Sequence, residues 1–183
     1  MVLLFYRIKA NIPVILMGET GCGKTALIIK LNQILNNGKA TVEKINIDQG
    51  ITEKKLWELM ENIDNKVKKE KDEVLWVFFD KMNTCLSLSL LKEIFINRTY
   101  NGNKLSDNIR LIGACNPYRE RKENKEKYEI NISENNDKDL VYLIYPLPQS
   151  LLYYVFNFGR IGDNDEKIYI YNYFQKMKNI YMK

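Results

Sequence analysis

Pro13-Val14-Ile15-Leu16-Met17-Gly18-Glu19-Thr20-Gly21-Cys22-Gly23-Lys24-Thr25 decides the fold. A short apolar run leads into Gly-x-x-x-x-Gly-Lys-Thr, and a helix-like stretch follows. Strand, loop and helix in that order are the context that a phosphate-binding P-loop (Walker A) requires. The glycines let the backbone close around a phosphate where a Cβ would collide. Exposed N–H groups and the helix start then meet the anionic oxygens. The expected nucleotide-binding set is Gly18, Glu19, Thr20, Gly21, Cys22, Gly23, Lys24 and Thr25. Lys24 supplies a point charge for the β- and γ-phosphates, and the Thr25 hydroxyl a ligand for magnesium. ATP is the expected ligand, with GTP left open by the loop alone.

Working outward, short apolar runs alternate with longer amphipathic stretches, the pattern of βα units and a mostly parallel sheet. Strands are expected over residues 13–17, 41–47, 74–79, 109–114 and 140–145. Helices are expected over 24–35, 52–69, 86–96, 151–158 and 166–182. The helix from Thr52 places Leu56, Leu59, Met60 and Ile63 at spacings of three and four. Asn36-Asn37-Gly38 reads as a C-cap for the helix that opens at Lys24. Asn101-Gly102 marks a small hairpin or loop over 98–108. The expected fold is α/β, a three-layer P-loop NTPase core with a mostly parallel five-stranded sheet flanked by helices. Residues 1–160 form the nucleotide-binding core, and 161–183 begin a helical lid or form a C-terminal helix.

Two more polar groups belong to the P-loop site. Leu75-Trp76-Val77-Phe78-Phe79 buries a central strand, and Asp80 emerges at its C-terminal edge, 55 residues after Thr25. Ligands bind at that edge in open α/β sheets, so Asp80 is expected to hold magnesium through water. Asn116, at the tip of the next strand, is expected to face the γ-phosphate and orient the attacking water.

Composition narrows the chemistry. The chain has 183 residues, a formal net charge of +5, three cysteines and no histidine. Without histidine there is no Ser/His or Cys/His nucleophile. Three scattered cysteines give neither a disulfide framework nor zinc spacing, which fits a reducing, cytoplasmic setting. The six apolar residues at the N-terminus are too few to cross a membrane and read as the end of a strand or helix. Of residues 119–139, 13 of 21 are charged with both signs mixed, the composition of a solvated loop. The lysines are dispersed, which argues against nucleic acid as a partner. A nucleic-acid motor would use the C-terminal tyrosines Tyr169, Tyr171, Tyr173 and Tyr181. Only Tyr169 and Tyr173 share a helical face, so core packing is their expected use.

Together the P-loop, the acidic strand end and the strand-end Asn resemble the AAA+ superfamily. More specific pieces resemble the mysterin-type family, giant RING-finger E3 ubiquitin ligases with dynein-like AAA+ modules. They are Asn83-Thr84-Cys85 after the acidic strand, Cys115-Asn116-Pro117-Tyr118-Arg119 and Pro146-Leu147-Pro148-Gln149-Ser150, and Leu91-Lys92-Glu93-Ile94 with Arg98-Thr99 is similar too. The resemblance covers roughly residues 7 to 175 and favours ATP over GTP. It implies an ATPase module, part of a larger mechanochemical protein, with its helical lid largely missing. The implied partners are other AAA+ modules of the same parent chain or assembly, and through the parent, proteins of the ubiquitin pathway. A RING needs clustered Cys and His, so these residues cannot perform ubiquitin transfer.

One position departs from the family pattern. After the magnesium-binding Asp, AAA+ proteins carry a Glu that polarises the attacking water. Here Lys81 stands there. A lysine is protonated at neutral pH and accepts no proton from water. Its cation could pair with a phosphate or with Asp80. The expectation is therefore a chain that binds ATP and hydrolyses it poorly, the alternative role being a structural or allosteric module locked on ATP. Glu19 and Asp48 are the substitute acids. The resemblance also implies a trans-acting arginine at a module boundary, for which Arg119, Arg121 and Arg98 are candidates.

Overall fold

A computed structural model describes residues 2–36, 41–48, 50–69, 73–117, 144–159 and 162–181. In chain order its regular elements are α1 (Val2–Lys9), β1 (Val14–Gly18), α2 (Lys24–Leu35), β2 (Val42–Asn46), α3 (Glu53–Lys69), β3 (Leu75–Asp80), α4 (Leu88–Lys92), β4 (Thr99–Tyr100), β5 (Asn103–Lys104), β6 (Ile109–Cys115), α5 (Gln149–Leu152), β7 (Val155–Gly159) and α6 (Asp163–Tyr181). A 3-10 turn, Met82–Thr84, follows β3, and a π-helical turn, Glu93–Asn97, continues α4.

The strands make one five-stranded sheet in the order β2-β3-β6-β1-β7, with every pair parallel. Alternation along the strands sorts side chains onto two faces. Val14, Leu16, Trp76, Phe78 and Ile112 join Leu4 and Ile8 of α1 and Ile28 and Leu31 of α2. Ile15, Val77, Phe79 and Leu111 join Leu56, Met60 and Ile63 of α3 and Leu90, Leu91, Ile94 and Phe95 beyond β3. Burying each such side chain contributes about 1.5–3 kcal/mol. The Phe79 and Phe95 rings meet edge-on at 5.2 Å between centroids, a favoured aromatic arrangement. Because all five strands run the same way, their C-terminal ends share one edge of the sheet.

Several expected elements take other forms. Residues 151–158 were expected to be helical. Instead α5 ends at Leu152, and β7 pairs with β1 as the fifth strand. An apolar run of this length does not separate strand from helix by periodicity. The strand expected over 140–145 lies mostly outside the described residues, and Ile144 and Tyr145 belong to no strand. The helix expected over 86–96 begins at Leu88 and widens into the π turn, where Ile94 and Phe95 are both wholly buried. The hairpin is present as β4 and β5, turning at Asn101 and Gly102, both with positive φ. Residues 37 and 38 of the expected C-cap, and the charged segment 119–139, lie outside the described residues. Tyr169, Tyr171 and Tyr173, expected in the core, are 65%, 63% and 53% exposed on α6. The N-terminal apolar residues form α1, and among the described residues no helix is long and apolar enough to cross a membrane.

A buried polar cluster fastens the hairpin to α3. The Asp64 carboxylate accepts hydrogen bonds from the Ser106 N–H (2.8 Å), the Ser106 hydroxyl (2.6 Å) and the Tyr100 hydroxyl (3.2 Å). Lys68 pairs with it at 2.6 Å.

Candidate functional site

Each P-loop glycine has its own reason. A Cβ on Gly18 would lie 2.9 Å from the Gly159 carbonyl of β7 and 3.0 Å from the Cys22 sulfur, so the loop fits against β7 only without a side chain there. Gly21 and Gly23 have φ of 85° and 91°, a region costly for other residues. Gly23 is also the N-cap of α2 and supplies no side-chain cap. The first-turn N–H groups of a helix have no intrahelical acceptor, and here the first-turn residues Lys24, Thr25 and Ala26 line an open cavity.

Lys24 organises the loop. Its side chain bridges inward and leaves only 9% of the residue exposed. The ammonium donates to the Gly18 carbonyl (2.7 Å), the Glu19 carbonyl (2.9 Å) and Asn116 Oδ1 (3.3 Å). The Cys22 thiol lies 3.8 Å from it. Residues 92 positions apart in sequence are thereby joined at the C-terminal edge of β1 and β6. A cavity of about 330 Å³ opens there, lined by Thr20, Gly21, Gly23, Lys24, Thr25, Ala26, Asp80, Lys81 and Asn116. The folded chain thus brings Lys24, Thr25, Asp80, Lys81 and Asn116 together around one space.

Asp80 is paired with a residue whose role the sequence left unmarked. Lys44 of β2 reaches its carboxylate at 2.8 Å. Nothing local to β2 distinguishes Lys44 from other surface lysines. The link arises because β2 and β3 run side by side, with Asn46 opposite Asp80. Lys81 has a left-handed backbone (φ 59°, ψ 34°) at the head of the 3-10 turn. Thr84 holds that shape, donating from its N–H and its hydroxyl to the Lys81 carbonyl, both at 2.9 Å. The two substitute acids differ in placement. Glu19 lies in the loop itself, where its carbonyl engages Lys24. Asp48 is exposed, accepts the Gly50 N–H, and lines a separate cavity between β2 and α3.

Asn83 takes a role that its sequence neighbours do not mark. It is wholly buried and bonded to the main chain of Asn116 in both directions, donating at 2.8 Å and accepting at 3.3 Å. Gly113 makes room for the turn that carries it, since a Cβ there would lie 2.4 Å from the Met82 sulfur.

Arg98, the one candidate trans-acting arginine among the described residues, lies at the other end of the sheet from this cavity. Its guanidinium donates to Asn11 Oδ1 (3.0 Å), the Ser106 carbonyl (3.0 Å) and the Ile109 carbonyl (2.9 Å), at the opposite end of the sheet. Burial lowers its pKa from the ordinary arginine value. It ties β6 to the segment before β1. Arg119 and Arg121 lie outside the described residues.

The cysteines divide by environment. Burial pushes the Cys115 thiol up to about 12 and raises that of Cys85, so both are inert at neutral pH. Cys22, in the P-loop, is only half-buried.

A family model described as the RNF213 AAA domain matches residues 1–119. Similar proteins include the E3 ubiquitin-protein ligase RNF213 of Mus musculus, 33% identical over 93% of this chain. That of Homo sapiens is 32% identical, and the E3 ubiquitin-protein ligase rnf213-beta of Danio rerio 31%, each over 93% of this chain. The chain spans about 4% of the length of these relatives.

Proposed function

The chain belongs to the RNF213 AAA domain family, and on that premise we propose that it is an ATP-binding AAA+ module which holds its nucleotide with magnesium and turns it over slowly or not at all. The observation that carries this reading is the single cavity around which Lys24, Thr25, Asp80, Lys81 and Asn116 converge.

The loop and the start of α2 take the phosphates, and Lys24 moves from the Gly18 and Glu19 carbonyls to the anionic oxygens. Thr25 and Asp80 would hold magnesium, whose charge would offset that of the phosphates. The residues fit such an ion: a hydroxyl and a carboxylate are hard oxygen ligands, and Asp80 already attracts the Lys44 cation. The Asn116 carboxamide oxygen accepts from Lys24, which leaves its NH2 group as the donor for a terminal phosphate.

Hydrolysis needs a group that accepts a proton from water. At the position next to Asp80 the cavity wall is Lys81, which adds positive charge and offers no base. Such a cation stabilises bound triphosphate without activating water, which favours a module locked on ATP. At the level of the parent assembly, this chain serves as one AAA+ module among others, and ubiquitin transfer is carried by other residues.

Binding and turnover on one sample test the reading. Calorimetry with ATP and magnesium is expected to give binding that Lys24→Ala abolishes. Phosphate release is expected to be far below about 1 s⁻¹, an ordinary enzyme rate, and to rise in Lys81→Glu by a substantial part of the 10²–10⁴-fold typical of a general base. Wild-type turnover near 1 s⁻¹ with no gain in Lys81→Glu would refute the locked module. No ATP binding at all would refute the whole reading.

A further inference from the structure

Asn116 stands one residue beyond Cys115, the last residue of β6 paired with β1. Pro117 follows it, so the next residue has no N–H to offer. The main chain of Asn116 is therefore outside the sheet ladder that fixes the rest of β6, while its side chain has to be accurately placed beside Lys24. The Asn83 carboxamide takes the place of the missing strand. It presents one donor and one acceptor to the carbonyl and N–H of a single residue, as a neighbouring peptide group would. Asp has no donor to offer there, Ser is too short, and Gln is longer by one methylene in a site with no exposed surface. The Asn83 carbonyl in turn accepts the Tyr145 N–H at 2.8 Å. One turn after β3 thus holds both the strand-end Asn and the segment leading into α5.

We propose that Asn83 is the positioning residue for Asn116, and that this clamp sets the preference of the cavity for a nucleoside triphosphate over a diphosphate. The proposal rests on the reading that the cavity holds ATP. Asn83 itself is not among the residues that line the cavity. It keeps the Asn116 carboxamide beside Lys24, where only the third phosphate would meet it, so its loss weakens ATP more than ADP.

The experiment compares ATP and ADP affinity, with magnesium, by calorimetry on the full chain below its melting temperature. Wild type, Asn83→Asp, Asn83→Ser, Asn116→Ala and the double variant Asn83→Asp/Asn116→Ala are measured. One hydrogen bond to a charged oxygen corresponds to roughly a tenfold change in affinity. Asn83→Asp and Asn116→Ala are each expected to lower the ATP-to-ADP affinity ratio about tenfold. The double variant is expected to fall no further than Asn116→Ala, because both changes act through one contact. An unchanged ratio in Asn83→Asp and Asn83→Ser, with only a lower melting temperature, would overturn the proposal and leave ATP binding standing. Wild-type failure to bind ATP would instead remove the reading beneath it. Should the Asn83 variants not fold, amide exchange in the unliganded wild type decides. The Asn116 N–H is expected to exchange as slowly as the β6 amides, and fast exchange would overturn the clamp.

Discussion

Replacing Asp64 by Asn should weaken the fold by about 2 kcal/mol at neutral pH and by progressively less in acid. The carboxylate has no exposed surface and receives the Ser106 N–H, the Ser106 hydroxyl, the Tyr100 hydroxyl and the Lys68 ammonium. Asn keeps the shape and loses the charge. A hydrogen bond to a charged group contributes about 1.5–3 kcal/mol, against about 0.5–1.5 kcal/mol for a neutral one. Over the two Ser106 bonds and the Tyr100 bond that difference approaches 3 kcal/mol, and Tyr100 at 3.2 Å is the weakest of them. Lys68 is 56% exposed, and solvent screening leaves it a small share. A figure near 2 kcal/mol corresponds to roughly 4–8 °C in melting temperature for a chain of this size. The pH dependence has a definite sign. Burial alone would raise the Asp64 pKa, but the Lys68 and Ser106 hydrogen bonds outweigh it and leave the folded value below 3.8. The carboxylate's contribution is therefore fully present above about pH 4, the unfolded value. It is lost as pH falls through the folded pKa. Urea unfolding of wild type and Asp64→Asn at pH 7 and near pH 3 measures the effect. A gap under about 0.5 kcal/mol at pH 7, or one that persists undiminished in acid, would refute the reasoning.

Gly113→Ala should lower stability by about 1–3 kcal/mol, as overpacking does, because its Cβ meets the buried Met82 sulfur. Chemical denaturation reads this, and unaltered stability would mean the turn yields freely. Arg98→Met should also destabilise, by about 1–3 kcal/mol for the buried carbonyls left without a donor, while ATP affinity measured below the melting temperature stays as in wild type. A thiol reagent should modify Cys22 first, and ATP with magnesium should slow it several-fold, since the Cys22 sulfur lies beside Lys24. Peptide mapping after brief labelling tests the order. Lys44→Gln should lower the magnesium concentration needed for half-maximal ATP binding a few-fold, because the Asp80 carboxylate no longer has a competing cation.

What could be read from the chain follows a physical divide. β1, the P-loop and α2 were legible because glycines, lysine and threonine act within eight consecutive residues. β3 and Asp80 were legible because a strand buried on both faces leaves an unbroken apolar run ending in an acid. β7 was not, since an edge strand buries little and its five residues carry no periodicity that excludes a helix. The structural ties of Arg98 were not legible because its partners, Asn11, Ser106 and Ile109, converge only after three segments fold together. Lys44 and Asn83 were hidden for the same reason. Each acquires its role from a neighbour that is distant in sequence, Asp80 for one and Asn116 for the other.

The left-handed backbone at Lys81 has a consequence for how this site can change. A residue there sits at φ 59°, a left-handed conformation that strains the unbranched stems of lysine and glutamate alike, β-branched residues more, and Asn and Asp less. Thr84 holds the carbonyl of that residue, a main-chain group that every residue type carries. Lysine and glutamate are therefore nearly equivalent tenants as far as folding is concerned. Both the φ of 59° and the Thr84 contact act on the main chain at position 81, so neither selects strongly between a cationic and an anionic side chain.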